Sequence, residues 1–480
     1  MPATRRVARA AHPSSPHHGD GPPGAASGRR ARRTVPFPFP ALPVSTATLS
    51  PTPRPGFVPA LDGVRGVAVL VVIIHNSGWV AADSAQPLVK LFSAVAAMGW
   101  TGVELFFALS GFLITGILLD TRGRAGYFRT FFVRRALRIF PLYYTLLAVA
   151  VLVAAPLAWD PAWAAEVRAH HWPHWVYLQN WTIPFQVAMH GFTHLWSLAV
   201  EEQFYLVWPL AAWWLGARRL ALLSAALMVA APLIRAALLA AGFPTWSAYM
   251  FTVSRMDALA AGALVAALWR DPAGRALVGR WAPRMIVVAA ALLALLILRQ
   301  RGLHSGEWPV LVVGQSLVSL LAAGLLAVVV ADAPAQWPWV ARGLSAAWLR
   351  DLGRYSYAMY LFHFPLHHAL KPVLTPWITA TDDPWRLARV LTHVGTVLAL
   401  TYLAARLSWR VLEAPALALK DRWAPSPADD RQETVGRGED AGVRVFPTLP
   451  GEPDVEGAPE GLAHPGPGEA VVAVGHVRHR

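Results

Sequence analysis

The sequence has no cysteine and few charged residues among its 480 residues. Without cysteine, the chain has no disulfide framework, no thiolate nucleophile and no cysteine-ligated metal site. Charged residues make up 15% of the chain, compared with roughly 25% in a soluble globular protein. Apolar residues make up 55%. A chain of this composition cannot cover a water-facing surface with polar side chains, which excludes an ordinary soluble enzyme, a disordered protein and a collagen-like chain.

The net charge of +14 is concentrated in particular parts of the chain. Residues 1–56 hold eight arginines and one acid, and residues 421–480 hold eleven acids and six arginines. Both stretches are rich in proline or glycine and lack an apolar period, which predicts two disordered tails around a core of residues 57–420. The first apolar run begins too late for a secretory signal, so we expect no cleaved signal peptide.

Ten segments of the core are apolar over the ~20 residues that a helix needs to cross a membrane. They lie near 60–79, 98–119, 139–158, 194–216, 220–242, 247–269, 283–299, 308–331, 352–374 and 388–412. They predict an all-α integral membrane protein, a bundle of about ten transmembrane helices. The Trp-rich segment 170–186 contains two prolines and scattered polar residues, which is typical of an interfacial or re-entrant piece.

The positive residues of the loops predict the orientation of the bundle. If the N-terminus is cytoplasmic, the cytoplasmic loops contain fourteen arginines, and the opposite loops contain six arginines and lysines. Cytoplasmic loops of membrane proteins carry such an excess. We therefore predict that both termini are cytoplasmic and that the protein crosses the cell (inner or cytoplasmic) membrane. The positive charge then reflects topology, and no nucleic-acid partner is expected.

Ionisable residues inside the predicted spans indicate where function lies, because a charge at the centre of a bilayer costs about 3 kcal/mol or more. They are His75, Glu104, Glu201, Glu202, Arg255, Asp257 and His363. Counted along each helix, all seven lie between the outer interface and the bilayer centre, which predicts one shared polar cavity. The alternatives are that Arg255 and Asp257 only neutralise each other, and that Glu201 or Glu202 pairs with a buried arginine.

Seven motifs follow one another along the core. They are PALDGVRGVAVLVVIIH (59–75), GVELFFALSGFLIT (102–115), FFVRRALRIFPLYY (131–144), HLWSLAVEEQFYLVWPL (194–210), SRMDALAAGAL (254–264), LGRYSYAMYLFHFPL (352–366) and LEAP (412–415). In order and spacing the chain resembles the membrane-bound acyltransferase-3 family. The resemblance implies transfer of an acyl group, often acetyl, from a cytoplasmic acyl-CoA to a hydroxyl of an extracytoplasmic carbohydrate, polysaccharide or glycolipid. Acyl-CoA would be a donor substrate, with no bound cofactor or metal, and the short polar tail predicts no fused SGNH-type domain.

The family signature of an Arg or Lys followed by an essential His matches Arg65 and His75. Only nine residues separate them here, instead of ten. This spacing puts the two side chains roughly 80° out of phase on a straight helix. Either Arg65 precedes the helix or the helix tightens, and His75 remains the leading catalytic residue.

The predicted catalytic set is His75, Glu201, Glu202, Arg255, Asp257 and His363. His75 would act as a base or carry the acyl group, and Glu201 or Glu202 would orient an imidazole. Arg255, Tyr360 or His363 would stabilise developing negative charge. Arg65, Arg135 and Arg138 are predicted to bind the phosphates of the donor, because guanidinium groups suit phosphate; the alternative is that they only set the topology.

Two other classes of function compete with acyl transfer. A transporter or exporter could use the buried charges as a proton relay, although the two halves show no internal repeat. A non-catalytic membrane scaffold could keep the same motifs. The sequence carries no signal for a particular acceptor or oligomeric state.

Overall fold

The computed structural model describes residues 58–78, 83–158, 160–331 and 338–424. Within these residues the chain is helical throughout and contains no β-strand. The predicted basic tail lies outside the described residues. Of the predicted acidic tail only 421–424 is described, in a short helix that begins at Lys420. The boundaries of the predicted disordered tails therefore stay predictions.

The described part of the chain forms seventeen α-helices. They are α1 (Pro59–Gly78), α2 (Pro87–Ala97), α3 (Thr101–Thr121), α4 (Tyr127–Val149), α5 (Pro161–His170), α6 (Trp172–Trp175), α7 (Gln179–Thr182), α8 (Trp196–Ala240), α9 (Thr245–Met250), α10 (Met256–Leu268), α11 (Pro272–Gln300), α12 (Gln315–Val330), α13 (Pro338–Leu344), α14 (Ala347–Thr379), α15 (Arg386–Ser408), α16 (Ala414–Ala418) and α17 (Lys420–Trp423). π-Helical turns follow α4 and α15 and precede α12.

Seven helical stretches of the described residues, two of which join two α-helices through a turn, are long and apolar enough to cross a membrane. They are Pro59–Gly78, Pro87–Thr121, Tyr127–Ala154, Thr193–Ala240, Pro272–Gln300, Val310–Val330 and Arg386–Ala418. The all-helical membrane fold is thus confirmed, while the count of ten spans and the location of the termini stay predictions. α8 is 45 residues long and leaves the helical conformation at Gly216 (φ 67°, ψ 178°), so it consists of two arms.

α4 begins twelve residues before the predicted third span. Arg134, Arg135 and Arg138 therefore lie inside this helix and not in a loop before it. Hydropathy marks only the apolar part of a helix, whereas arginine is itself a good helix former. α11 likewise begins at Pro272, eleven residues before its predicted span. Some of the arginines that indicated the orientation are thus helical residues.

Glycines bring the central helices into close contact. A Cβ at Gly66 in α1 would lie 2.1 Å from the carbonyl oxygen of Leu349 in α14. A Cβ at Gly111 in α3 would lie 1.9 Å from the carbonyl oxygen of Leu259 in α10. Both distances are too short for any side chain, and small residues allow membrane helices to approach in this way. α1, α3, α10 and α14 therefore form a tight centre beside which α8 packs.

Residues 161–195, which we call the cap segment, contain the Trp-rich stretch. Short helices and turns follow one another here, and His174, Gln179 and Asn180 are buried. The hydroxyl of Tyr143 in α4 donates to the carbonyl oxygen of His174 (2.8 Å). On the other side, the side chain of Gln203 in α8 donates to Asn180 (2.9 Å). The cap segment is thus fixed to the bundle through polar contacts of its buried residues.

Candidate functional site

A series of polar contacts, which we call the polar column, runs through the bundle. Its members are His75, Asn76, Ser110, Arg135, His194, Ser197, Glu201, Tyr205, Tyr360 and His363. Ser197, Glu201 and Tyr205 follow one another at intervals of four residues and therefore share one face of α8. At ~1.5 Å per residue these three alone cover about 12 Å along the helix. The column thus connects a histidine end with an arginine end.

His75 lies at the histidine end, near the end of α1. Its Nδ1 lies 2.9 Å from the carbonyl oxygen of Ala96. A carbonyl oxygen only accepts, so Nδ1 carries the proton and the basic lone pair is on Nε2. A backbone carbonyl therefore holds His75 at Nδ1, and the predicted orientation of an imidazole by Glu201 or Glu202 stays a prediction.

His363 is fully buried beside it and uses both ring nitrogens within the protein. Nδ1 donates to the carbonyl oxygen of Tyr360 (2.6 Å), and Nε2 accepts from the side-chain amide of Asn76 (3.1 Å). The ring is therefore the neutral Nδ1–H tautomer. This geometry makes His363 a residue that positions Asn76, the neighbour of His75; its predicted role in catalysis stays a prediction.

Tyr360 connects the histidine end with α8. Its hydroxyl donates to the carbonyl oxygen of His194 (2.8 Å) and lies 2.6 Å from Ser197 Oγ. Because the single phenolic hydrogen goes to the carbonyl, Ser197 donates to the phenolic oxygen. His194 stands immediately before α8. The start of α8 is thereby held against α14.

The two adjacent glutamates of α8 have different surroundings. Glu201 accepts hydrogen bonds from Ser110 of α3 and from Tyr205, each at 2.9 Å. Glu202 has one buried carboxylate oxygen without any hydrogen-bond partner, and Glu201 and Arg135 are its charged neighbours. Glu201 is thus a bonded member of the column, whereas Glu202 retains an open acceptor.

The arginine end consists of Arg65, Arg135 and Arg138, which lie within electrostatic reach of one another. Arg65 pairs with Asp62. Arg135 lies over the ring of Tyr205, and Arg138 lies over the ring of Trp409. Within the described residues, neither of these two forms a hydrogen bond or an ion pair. Arg65 is thus the member of the cluster with an ion pair. Glu413 lies only within electrostatic reach of Arg138, and Glu201 and Glu202 lie only within that of Arg135.

Arg65 and His75 lie in the same helix, α1. The helix begins at Pro59, so Arg65 is in its second turn and does not precede it. Ten positions along a helix correspond to about 15 Å. The two residues of the family signature thus stand at opposite ends of the polar column.

Arg255 and Asp257 belong to a separate set of charges, which we call the ion-pair group: Glu104, Arg235, Arg255 and Asp257. Arg255 pairs with Glu104, and both side chains are fully buried. Asp257 pairs with Arg235 at 2.8 Å. Two hydroxyls of α12 also bond to the carboxylates: Ser316 donates to Asp257 (2.8 Å) and Ser319 donates to Glu104 (3.3 Å).

Aromatic rings surround Arg255. The centroids of Phe107 and Trp196 lie 5.5 Å from its guanidinium carbon, and that of Tyr249 lies 5.1 Å away. Across the described residues, no hydrogen bond or ion pair links the ion-pair group to the polar column. The structure therefore separates the residues of the predicted cavity into two sets of polar contacts, and the shared cavity stays a prediction. Arg255 and Asp257 each have another partner, and their predicted catalytic roles stay predictions.

Sequence reasoning missed Arg235, Asn76 and His194. Arg235 stands in an apolar run, APLIRAALL, which is the same signal that marked Arg255. His194 opens the motif that contains both glutamates. Asn76 directly follows His75 and has no pattern of its own. Throughout the residues that the structure describes, no group of three or more His, Asp or Glu side chains could hold a metal ion.

Comparisons with known proteins identify the class. The chain matches the family model described as "Acyltransferase domain" over residues 58–405. That match covers well over half of the chain and nearly all of the described residues. The chain therefore belongs to this acyltransferase-domain family, and the resemblance seen in its motifs is confirmed.

Three relatives match three quarters of the chain. It is 27% identical over 376 residues to Peptidoglycan O-acetyltransferase OatA of Listeria monocytogenes, covering 75% of this chain and 56% of that protein. It is 30% identical over 380 residues to YrhL of Bacillus subtilis (75% and 55%) and 26% identical over 387 residues to O-acetyltransferase OatA of Staphylococcus aureus (75% and 57%). The chain thus spans little more than half the length of these curated relatives. No solved structure matches it.

Proposed function

We propose that this protein is a multi-pass O-acetyltransferase of the cell membrane. It transfers an acetyl group from cytoplasmic acetyl-CoA to a hydroxyl of a cell-wall polysaccharide of the peptidoglycan type on the other side. Family membership and the names of the OatA relatives support the reaction and the class of acceptor. The observation that carries the proposal is the polar column, because it joins a basic histidine to a cluster of arginines through the bundle.

The arginine end would receive the donor. Acetyl-CoA carries several phosphates, and guanidinium groups bind phosphate in a bidentate manner. Arg135 and Arg138 lie one turn apart in α4, with Arg65 close by. The phosphates would bind here, and the thioester would extend along the column towards His75, about 15 Å further along α1.

The histidine end would perform the transfer. His75 Nε2 takes the proton of the acceptor hydroxyl while the hydroxyl oxygen attacks the acetyl carbonyl carbon. The C–S bond then breaks, and the thiolate leaves and takes the proton from His75. The products are an O-acetyl ester and CoA thiol, so atoms and charges balance without a further reactant. Throughout the reaction, Nδ1 of His75 stays bonded to the carbonyl oxygen of Ala96, so Nε2 remains the nitrogen that accepts the proton.

Reconstituted vesicles test the proposal. The purified protein would be supplied with labelled acetyl-CoA on one side and soluble peptidoglycan fragments on the other. We expect labelled, ester-linked acetyl groups on the glycan with the wild type and none above background with His75→Ala. Equal labelling by the two would remove His75 from the mechanism. No labelling with any acyl-CoA would instead favour the transporter or scaffold class.

A further inference from the structure

Two buried imidazoles at the histidine end make no hydrogen bond. His174 of the cap segment is fully buried and His194 is 6% exposed. Neither nitrogen of either ring has a hydrogen-bond partner. The large majority of buried polar side chains in proteins are hydrogen-bonded. Four unbonded ring nitrogens in one region therefore require an explanation.

The backbone at both histidines is held in place. The hydroxyl of Tyr143 donates to the carbonyl oxygen of His174, and that of Tyr360 donates to the carbonyl oxygen of His194, each at 2.8 Å. Backbone carbonyls lie near both rings, but none accepts a hydrogen bond from them. The backbone from which each ring projects is therefore fixed to the bundle.

The His194 ring belongs to the polar column, and the His174 ring lies next to it. The His194 ring is 5.0 Å from the ring of His363, between the rings of Tyr360 (5.5 Å) and Phe364 (5.2 Å). His174 lies within electrostatic reach of His194. Burial lowers the pKa of His174 to about 4, so this ring is neutral near pH 7.

The chemistry of the two rings suggests a ligand. A neutral imidazole offers one donor and one acceptor, and so does each hydroxyl of a sugar. Phosphate and thioester carbonyl oxygens only accept, so they match the rings less well. We propose that His174 and His194 form the subsite that binds the hydroxyl groups of the carbohydrate acceptor. This inference rests on the proposed transfer reaction. Because the rings are buried, binding of the acceptor requires the cap segment to break contacts such as those of His174 with Tyr143 and Asn180 with Gln203.

Separate measurements of binding and transfer test this subsite. The purified protein in detergent would be titrated with a soluble peptidoglycan disaccharide without acetyl-CoA, followed by tryptophan fluorescence, and then assayed for transfer. We expect His174→Phe and His194→Phe to raise the Kd and KM for the disaccharide about tenfold for each lost hydrogen bond. The KM for acetyl-CoA stays unchanged. His194→Gln keeps a donor and an acceptor and should give an intermediate value.

A matched control is His393→Phe, which replaces a buried histidine of α15 outside the column and should leave disaccharide binding unchanged. Equal disaccharide Kd in the wild type and both Phe variants would overturn the subsite, even if the wild type transfers acetyl groups. So would a failure of the wild type to bind the disaccharide. If the wild type binds it without transferring acetyl, and His194→Phe weakens that binding, the subsite stands and the proposed function falls.

Discussion

The ion-pair group and the polar column lie in one bundle and differ in how their buried charges are paired. In the ion-pair group each guanidinium pairs with a carboxylate and hydroxyls of α12 donate to both carboxylates, although Nε of Arg235 and Nε and Nη1 of Arg255 make no hydrogen bond within the described residues. In and beside the column, one oxygen of Glu202 and the ring nitrogens of His174 and His194 lack hydrogen-bond partners, and among the residues that the structure describes Arg135 and Arg138 form no ion pair. Buried charge alone therefore does not mark the site. The two regions differ in charge pairing: both arginines of the ion-pair group form ion pairs, whereas Arg135 and Arg138 form none in the described part of the chain.

Removal of the base should have the largest effect. We expect His75→Gln to lower kcat for acetyl transfer by about 10²–10⁴-fold, because general-base catalysis contributes this much. The thermal unfolding midpoint should stay close to that of the wild type. Activity and unfolding of the same purified sample would be measured together. A variant that is both active and stable would contradict the assignment of His75 to the column's chemistry.

Closing the cap segment covalently should also stop transfer. A Cβ at Gly191 would lie 3.8 Å from Cβ of His368, within the range that a disulfide spans. The chain has no other cysteine, so Gly191→Cys with His368→Cys can form a single bridge. Gly191 has φ +87°, which costs a cysteine about 1–2 kcal/mol. The oxidised protein should lose transfer and regain it on reduction, while each single variant stays active. Full activity when oxidised would show that the cap segment need not open.

Breaking the ion-pair group should reduce stability and spare catalysis. Glu104→Gln leaves the guanidinium of Arg255 buried and unpaired, which costs about 3–5 kcal/mol. We expect a lower unfolding midpoint and less folded protein, with kcat per folded molecule unchanged. The double variant Glu104→Gln with Arg255→Met removes both charges and should regain most of the loss. If kcat falls while the midpoint holds, Arg255 has the catalytic role that the sequence predicted.

Changing the arginine end should affect the donor alone. Arg135→Gln removes a charge-assisted contact worth about 1.5–3 kcal/mol, so the KM for acetyl-CoA should rise by about 10–100-fold. Arg284→Gln is the matched control, because Arg284 also lies over an aromatic ring, 5.7 Å from Trp281, outside the column. Steady-state kinetics with both substrates would measure the KM for acetyl-CoA and the KM for the acceptor separately. An equal increase in the acceptor KM would argue against a donor site here.

The smallest effect should come from Asp382, which joins two loops. Its carboxylate accepts from the hydroxyl of Ser84 (2.6 Å) and the amide of Ala85 (2.8 Å) and pairs with Arg386 (3.1 Å). The Ser84 and Ala85 hydrogen bonds lower the pKa of Asp382. Its stabilising contribution is therefore present above the unfolded pKa, about 3.9, and is lost as pH falls through the lower folded pKa. Asp382→Asn should unfold slightly earlier than wild type at pH 7, and the difference should vanish in strong acid. A difference that persists there would contradict this.

Much of the architecture could be predicted from the sequence. Long apolar runs predicted the membrane helices, and the ordered motifs predicted the family. His75 could be singled out because its motif is local and continuous. α4 could not be bounded, since a helix continues through arginine-rich turns that hydropathy does not register.

The division of the buried charges could not be predicted. Arg255 and Asp257 are two residues apart in sequence, yet each pairs with a residue from another helix. Such choices depend on how α3, α8 and α10 rotate against one another, which periodicity does not define. The unbonded state of His194 is equally invisible, because it arises from contacts that its own ring fails to make.

Gly216 connects the two parts of α8 that carry the two sets of buried polar residues. The arm before it carries Ser197, Glu201 and Tyr205, and the arm after it carries Arg235. A Cβ at Gly216 would lie 2.7 Å from Nη1 of Arg122, and its φ of +67° strains any other residue. Gly216 therefore connects two helical arms, each of which is fixed by its own polar contacts. A side chain at position 216 would therefore displace both arms of α8 at once, although this position lies next to neither set of charges.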